Sequence, residues 1–238
     1  MKLKQFIRGL IHGIPIFLGY LSVSFGFGIM AVRSGLTVFE ATAMSLFNIT
    51  SAGQAAGVGI IAAGGSLLEM VLAQFTINLR YALMSLSLSQ RLDKSFNTPH
   101  RLLASFGITD EIFALASVEP HPVTPYYMYG LILIAAVGWT AGTFLGSAAG
   151  SILPSAVSDA LGIMLYGMFI AIVVPPAKKV RGVLAAVVIA AALSVLIYYL
   201  LPFISSGFSV MICGIAAAAV CALLFPRTPD REEKEGTA

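Results

Sequence analysis

Long apolar runs alternate with short polar punctuation along this chain, and seven or eight of the runs have the length of a helix that crosses a bilayer. Residues 14–33 form the first, with Pro15 near its start, where a missing backbone N–H costs least. Residues 38–63 form the second, but Asn48, Thr50, Ser51 and Gln54 interrupt it at mid-length beside Gly53, Gly57 and Gly59, a pattern that predicts a broken helix. Residues 66–89 are long enough to cross, yet carry Glu69, Gln74, Asn78 and Arg80. The run at 102–118 is short and holds Thr109, Asp110 and Glu111 at its centre, so it reads as a half-helix entering the protein. Cleaner spans are predicted at 126–149, 155–174, 182–201 and 207–225, with Pro175-Pro176 ending a helix. The pattern predicts an all-α polytopic membrane protein with seven to eight hydrophobic helices, broken or re-entrant segments among them. It has one transmembrane transport domain over 1–225 and a charged, disordered tail over 226–238.

Composition agrees with that reading: 58% of the residues are hydrophobic and 11% are charged, about half the charged share of an ordinary soluble domain. The net charge of +3 is no nucleic-acid signal, because the basic residues gather at the ends of runs and never alternate with aromatics. They report orientation instead. Lys2, Lys4 and Arg8 precede the first span and Lys178, Lys179 and Arg181 share one connection, which places both, and the N-terminus, on the cytoplasmic side of a bacterial inner membrane. The N-terminal run also fits a signal peptide cleaved near Ser22-Val23-Ser24, but the repeated later spans make an uncleaved helix simpler. Crossings between the two basic clusters must be even in number. Three early spans and two later ones make five, so either 102–118 crosses too or one broken segment is re-entrant.

Ser34-Gly35-Leu36 with Ala43-Met44 resembles Ser151-Ile152-Leu153 with Ala160-Leu161 at a constant offset, a possible internal repeat of the kind carriers use to frame a substrate. Cys213 and Cys221 share one predicted helix, about 12 Å apart along its axis, and are poorly placed to bridge. His12, His100 and His121 fall near helix ends or in loops, and no Cys and His spacing suits zinc, so neither a metal nor a cofactor is expected.

The polar residues inside the runs carry the functional argument. A charge at bilayer depth costs several kcal/mol unless it meets a partner or a water-filled cavity. At 100° per residue, Glu69, Thr76, Arg80 and Ser87 share one face of the third run, while Gln74, Asn78, Ser85 and Ser89 share the opposite one. About 16 Å of rise separates Glu69 from Arg80, so each needs a partner from elsewhere, unless Arg80 snorkels to one interface and Glu69 lies near the other. Ser51, Gly53 and Gln54 offer hydroxyl, free backbone and amide at a helix break, which suits the carboxylate and ammonium of a zwitterion; the competing reading is close packing through small residues. Asp110 and Glu111 form a pair able to take up and release a proton, with Glu69 in reserve; the competing reading is a helix start capped by Thr109. Asp159 reads as interfacial, and Trp139 as a packing or interface residue.

Four ordered blocks resemble the AzlC family of branched-chain amino acid exporters, the azaleucine-resistance proteins. They are Gly13-x-Pro15 with Gly19 and Phe25-Gly26; Ser51-Ala52-Gly53-Gln54-x-Ala56; Asn78-Leu79-Arg80 with Leu83-Met84; and Thr109-Asp110-Glu111-x-Phe113. The resemblance runs from about Phe6 to Ala116. It implies export of valine, leucine, isoleucine and methionine, together with a small, separately encoded AzlD-like membrane subunit; a higher oligomer is also compatible. Ser51, Gly53, Gln54, Asn78 and Arg80 would then shape the substrate path, and Asp110, Glu111 and Glu69 the proton coupling.

Three other classes compete. An ATP-driven permease would need its ATPase elsewhere, because no G-x-x-x-x-G-K-[ST] loop is present. An intramembrane enzyme finds no H-E-x-x-H and no histidine inside a span. A passive channel shares polar faces and glycine kinks with a carrier, and saturable, gradient-coupled flux separates the two.

Overall fold

A computed structural model describes residues 2–150, 167, 170–171 and 173–226. Helix α1 (Lys2–His12) continues through Gly13 into α2 (Ile14–Arg33), the helical bonds passing unbroken from Gly13 N to Gly9 O (3.0 Å) and from Phe17 N to Gly13 O (2.9 Å). Ser22, Val23 and Ser24 lie in mid-helix, with Ser24 fully buried. Helix α8 (Pro125–Ala149) runs parallel to this rod. Gly130, Gly138, Gly142 and Gly146 share one face and meet the backbone of Phe6, Phe17, Leu21 and Phe25 in turn. Gly9 and Gly28 answer from the other side, against Tyr127 and against Thr143 and Ser147. With no Cβ on either surface the two backbones touch, as small residues allow in lipid, where helices gain little from hydrophobic burial. This pair is the pillar of the fold. The end at which α2 starts is called the near end below, and the other the far end.

Between α2 and α8 the chain makes one full crossing and two incomplete ones. Helix α3 (Val38–Phe47) starts at the far end, where Thr37 and Glu40 form a reciprocal capping box, and descends beside α2 and α8, with Ala41 against Phe27 and Ala31 and Ser45 against Thr143. The backbone breaks at 48–51. Helix α4 (Ala52–Ala62) then climbs back, and Val58 rejoins Phe27 and Ala31, so α3 and α4 form a re-entrant hairpin from the far end. Helix α5 (Leu67–Ser89) descends antiparallel to α4 and crosses completely, its Leu88 reaching the near-end core with Phe96, Val123 and Met128. Helix α6 (Thr98–Ser105) then rises from the near end, with His100 beside Tyr129 and Gly107 beside Ile132. Helix α7 (Asp110–Ser117) descends again until Glu119 meets Arg8 at 2.5 Å. That is a second re-entrant hairpin, from the opposite end. Its base is closed by two backbone bonds of 2.9 Å, Asp93 N to Val123 O and Val123 N to Arg91 O.

Both ambiguous runs of the sequence are therefore re-entrant. The chain breaks where polar residues would otherwise face lipid without a partner. Helix α5 is 23 residues long, about 34 Å, enough to cross. By length and apolar composition together, four helices among the described residues suffice: Ile14–Arg33, Pro125–Ala149, Arg181–Leu200 and Gly207–Leu224. The side chains that set α5 apart from these are the ones in the site below.

Helices α9 (Arg181–Leu200) and α10 (Ser206–Leu224) form an antiparallel pair, with Gly182 beside Phe225. Helix α10 descends alongside α5, Gly207 beside Glu69 and Met211 beside Ala73, so α9 starts at the near end. Lys178, Lys179 and Arg181 thus share an end with Lys2, Lys4 and Arg8. Cys213 and Cys221 are free thiols on α10. Pro175-Pro176 does not end a helix: the backbone is helical from 173 to 179, which the fixed φ of proline permits, and the break falls at Val180. The second half of the suspected sequence repeat (Ser151 to Leu161), Asp159, most of the 155–174 run and the tail beyond Pro226 lie outside the described residues.

Candidate functional site

The tips of the two hairpins meet at mid-depth against the pillar. A small cleft between them is lined by Tyr20, Ile49, Ser51, Tyr81, Thr109, Asp110, Glu111 and Trp139, with room for about one water molecule.

At the first tip Ser51 takes φ of +42°, sparsely populated for a residue with a Cβ, and as the residue before α4 it makes no side-chain cap. The first turn of α4 also contains no acidic residue, so the positive end of its dipole reaches mid-depth without an anion of its own. Gln54, fully buried, donates from Nε2 to Ser45 Oγ at 2.9 Å and accepts from Trp139 Nε1 at 2.7 Å, while Ser45 and Thr143 share a bond of 2.7 Å. On the α5 side Gln74 Nε2 donates to Gly53 O at 2.7 Å, and Asn78 Nδ2 donates to Gln74 Oε1 at 3.0 Å. Asn78 Oδ1 and Thr50 Oγ1 are buried there without a hydrogen-bond partner. Gly53 leaves the space: a Cβ on it would fall 2.6 Å from Thr50 Oγ1 and 2.7 Å from Gln74 Oε1.

The second tip is built differently. Thr109 caps α7, accepting from Ile112 N at 3.4 Å, and its hydroxyl lies 2.6 Å from the Tyr20 hydroxyl, which also hydrogen-bonds the Glu111 carboxylate. Asp110 Oδ2 pairs with Arg80 Nη1 at 2.7 Å, and Arg80 Nη2 donates to the Tyr81 hydroxyl at 3.1 Å. The two adjacent acids therefore have separate environments, Asp110 facing a guanidinium and Glu111 a neutral phenol.

Of the residues picked out in the sequence, Ser51, Gly53, Gln54, Asn78, Arg80, Asp110 and Glu111 all gather around the two tips. Arg80 does not snorkel, because Asp110 meets it at mid-depth. Glu69 is elsewhere. Only 4% exposed, it sits at the far end and accepts from Gly207 N at 3.1 Å and from the Ser205 hydroxyl, fastening α10 to α5. Tyr20, Ser45 and Thr143 were not singled out by sequence reasoning; hydroxyl side chains in the middle of apolar runs are the signal that marks them. Trp139, read as packing, is buried and also a donor to the site.

A second cavity, of about 160 Å³, lies between the near-end half of α5 and the α6 arm. Leu88, Phe96, Ile108 and Met128 form its walls, and Ser85 and Ser89 face it. The polar face of α5 that holds Gln74 and Asn78 thus continues through Ser85 and Ser89 toward the near end.

The strain at the first tip has a measurable consequence. Ser51→Gly is expected to raise stability by about 1 kcal/mol, since glycine adopts this φ freely, while lowering transport through loss of the cleft hydroxyl. Thermal unfolding in detergent checks the first half and vesicle flux the second; a fall in Tm would show that the side chain, not the backbone, dictates the turn.

A sequence profile described as AzlC protein matches residues 15–153, past the limit of Ala116 set by the recognisable blocks. A membrane protein of Archaeoglobus fulgidus is 34% identical over 188 residues, 78% of this chain and 82% of that protein. The inner membrane protein YgaZ of Escherichia coli is 28% identical over 223 residues, 90% of each chain, and a Helicobacter pylori membrane protein is 32% identical over 153 residues, 63% of this chain and 66% of that one. No solved structure matches the chain. With more than half its length inside the family profile and its relatives named as membrane proteins, the chain belongs to the AzlC family.

Proposed function

We propose that the chain is a secondary transporter that exports branched-chain amino acids, proton-coupled, with the cleft between the hairpin tips as its substrate site. The observation that carries this reading is the unfilled polarity of the first tip. The start of α4 lacks an acid, while Asn78 Oδ1 and Thr50 Oγ1 lack donors. A zwitterion supplies both: its carboxylate complements the helix start and its ammonium the two orphaned oxygens. The leucine, phenylalanine, isoleucine and methionine walls of the cavity beside the α6 arm suit an aliphatic side chain on its way between the cleft and the near end. Glu111 is the coupling acid favoured by its surroundings, since Asp110 is held by Arg80. Glu69, committed to α10, acts as a fastener. The shared end of the two basic clusters supports a cytoplasmic near end in a bacterial inner membrane, and a small AzlD-like subunit completes the unit.

The test is counterflow of labelled valine in vesicles containing this chain, with and without a co-expressed small subunit. Saturable valine counterflow is expected, together with concentrative export that a protonophore stops and ATP depletion does not. Flux that rises linearly with valine, or none in either preparation, rejects the proposal.

A further inference from the structure

Helix α2 followed by the α3 and α4 hairpin, and α5 followed by the α6 and α7 hairpin, have the same order of elements and opposite sense. Each unit is a full crossing followed by a hairpin that re-enters from the end the crossing has just reached. Each tip is also held to the pillar by its own small set of side-chain bonds. The far hairpin hangs on Gln54, which accepts from Trp139 at 2.7 Å, and on the Ser45 and Thr143 contact at 2.7 Å. The near hairpin hangs on Tyr20, through Thr109 at 2.6 Å and through Glu111.

We propose that Trp139 and Tyr20 are positioning residues that latch the two hairpins, Trp139 closing the central cleft toward the far end and Tyr20 closing it toward the near end. The proposal rests on the reading of that cleft as the substrate site and adds which element opens to which side. Three observations support it. The cleft has room for about one water, so a larger solute enters only if a tip withdraws. The near arm is sparsely packed: α6 buries only Ala104 and α7 only Ile112 and Ala116, the burial that marks segments of low local stability, and besides Tyr20 its tip is tied to α5 by the Arg80 and Asp110 pair. Finally, the rings of Tyr20 and Trp139 touch edge to face, with centroids 5.2 Å apart, so one aromatic pair carries both latches.

The two ends differ in their bracing. At the far end Glu69 ties the start of α10 against α5 and Ile60 of α4. At the near end the apolar cavity already stands beside the α6 arm. The resting protein therefore opens toward the near end more readily.

The experiment places a single cysteine at Ile49, which lines the cleft, in the full chain with Cys213 and Cys221 changed to Ser. A membrane-impermeant maleimide is applied to vesicles of each orientation, with an N-terminal tag marking the near side. Tyr20→Phe, which keeps the ring contact and removes the hydroxyl, is expected to speed labelling about tenfold from the near side alone. Trp139→Phe, which removes the N–H, is expected to do the same from the far side alone. Glu111→Gln and Ser45→Ala serve as second variants should either aromatic change impair folding. Labelling that quickens equally from both sides, as general loosening would cause, or that does not change, overturns the latches. Valine counterflow by the chain with Tyr20, Ile49 and Trp139 intact, in parallel vesicles, keeps the two claims apart. One-sided labelling without counterflow leaves the latches standing and removes the cargo, and counterflow with two-sided labelling does the reverse.

Discussion

Asp110→Asn is expected to abolish driven export, lowering the rate by about a hundredfold or more, because it strands the Arg80 guanidinium at mid-depth and releases the hold of α7 on α5. The side chains of Arg80 and Asp110 are 37% and 31% exposed, so the stability loss is smaller than for a sealed pair, about 1–3 kcal/mol. Arg80→Gln should cost a similar amount. The informative variant is the double one. With both charges gone no lone ion remains, so Arg80→Gln with Asp110→Asn is expected to recover most of the lost stability while export stays abolished. Thermal unfolding paired with vesicle efflux reads the two quantities separately. Full export by the double variant would reduce the pair to packing, and a double variant less stable than either single one would show that the two residues are not coupled.

The second large effect lies in the pillar. Gly146→Ala should lower stability by about 3 kcal/mol, because the added methyl overlaps the carbonyl of Phe25, whose carbonyl carbon would be only 2.7 Å away. A flexible side chain could turn aside, but here the obstacle is backbone on a rod packed along its whole length. Gly19→Ala is the matched control, since a Cβ there meets nothing within 4 Å. That variant should be neutral or stabilising by up to about 1 kcal/mol through helix propensity. A difference of several degrees in Tm between the two proteins is expected, and equal values would mean that the helices do not pack through glycine.

Much of this arrangement could be read from the residue order, for identifiable reasons. Polar side chains cannot face lipid, so Asn48 to Gln54 marked a break and Thr109 to Glu111 a half-helix, and both are hairpin tips. The opposite faces of α5 were legible from periodicity alone, and they do turn to different neighbours, Arg80 to α7 and Gln74 with Asn78 to α4. What periodicity cannot supply is the identity of a partner far along the chain. Nothing local to Tyr20 indicates that it meets Glu111, and nothing local to Trp139 indicates Gln54, because those meetings depend on how two hairpins lean on a pillar. The prolines at 175 and 176 misled for a related reason. Their rings forbid certain bonds but leave helical φ accessible, so they do not by themselves dictate where a helix stops.

The two backbone bonds joining residues 91 and 93 to Val123 pinch off everything from Lys94 to Pro122 as a closed excursion. Helices α5 and α8 therefore receive their alignment from the pinch and not from the length of what hangs beyond it. Extra residues in its near-end loops, before α6 or after α7, would lengthen the near-side projection without shifting either neighbouring rod along its axis. The topology thus divides the molecule into a frame aligned by the pinch and an insert whose tip is held at the cleft while its near-end loops are free to change length.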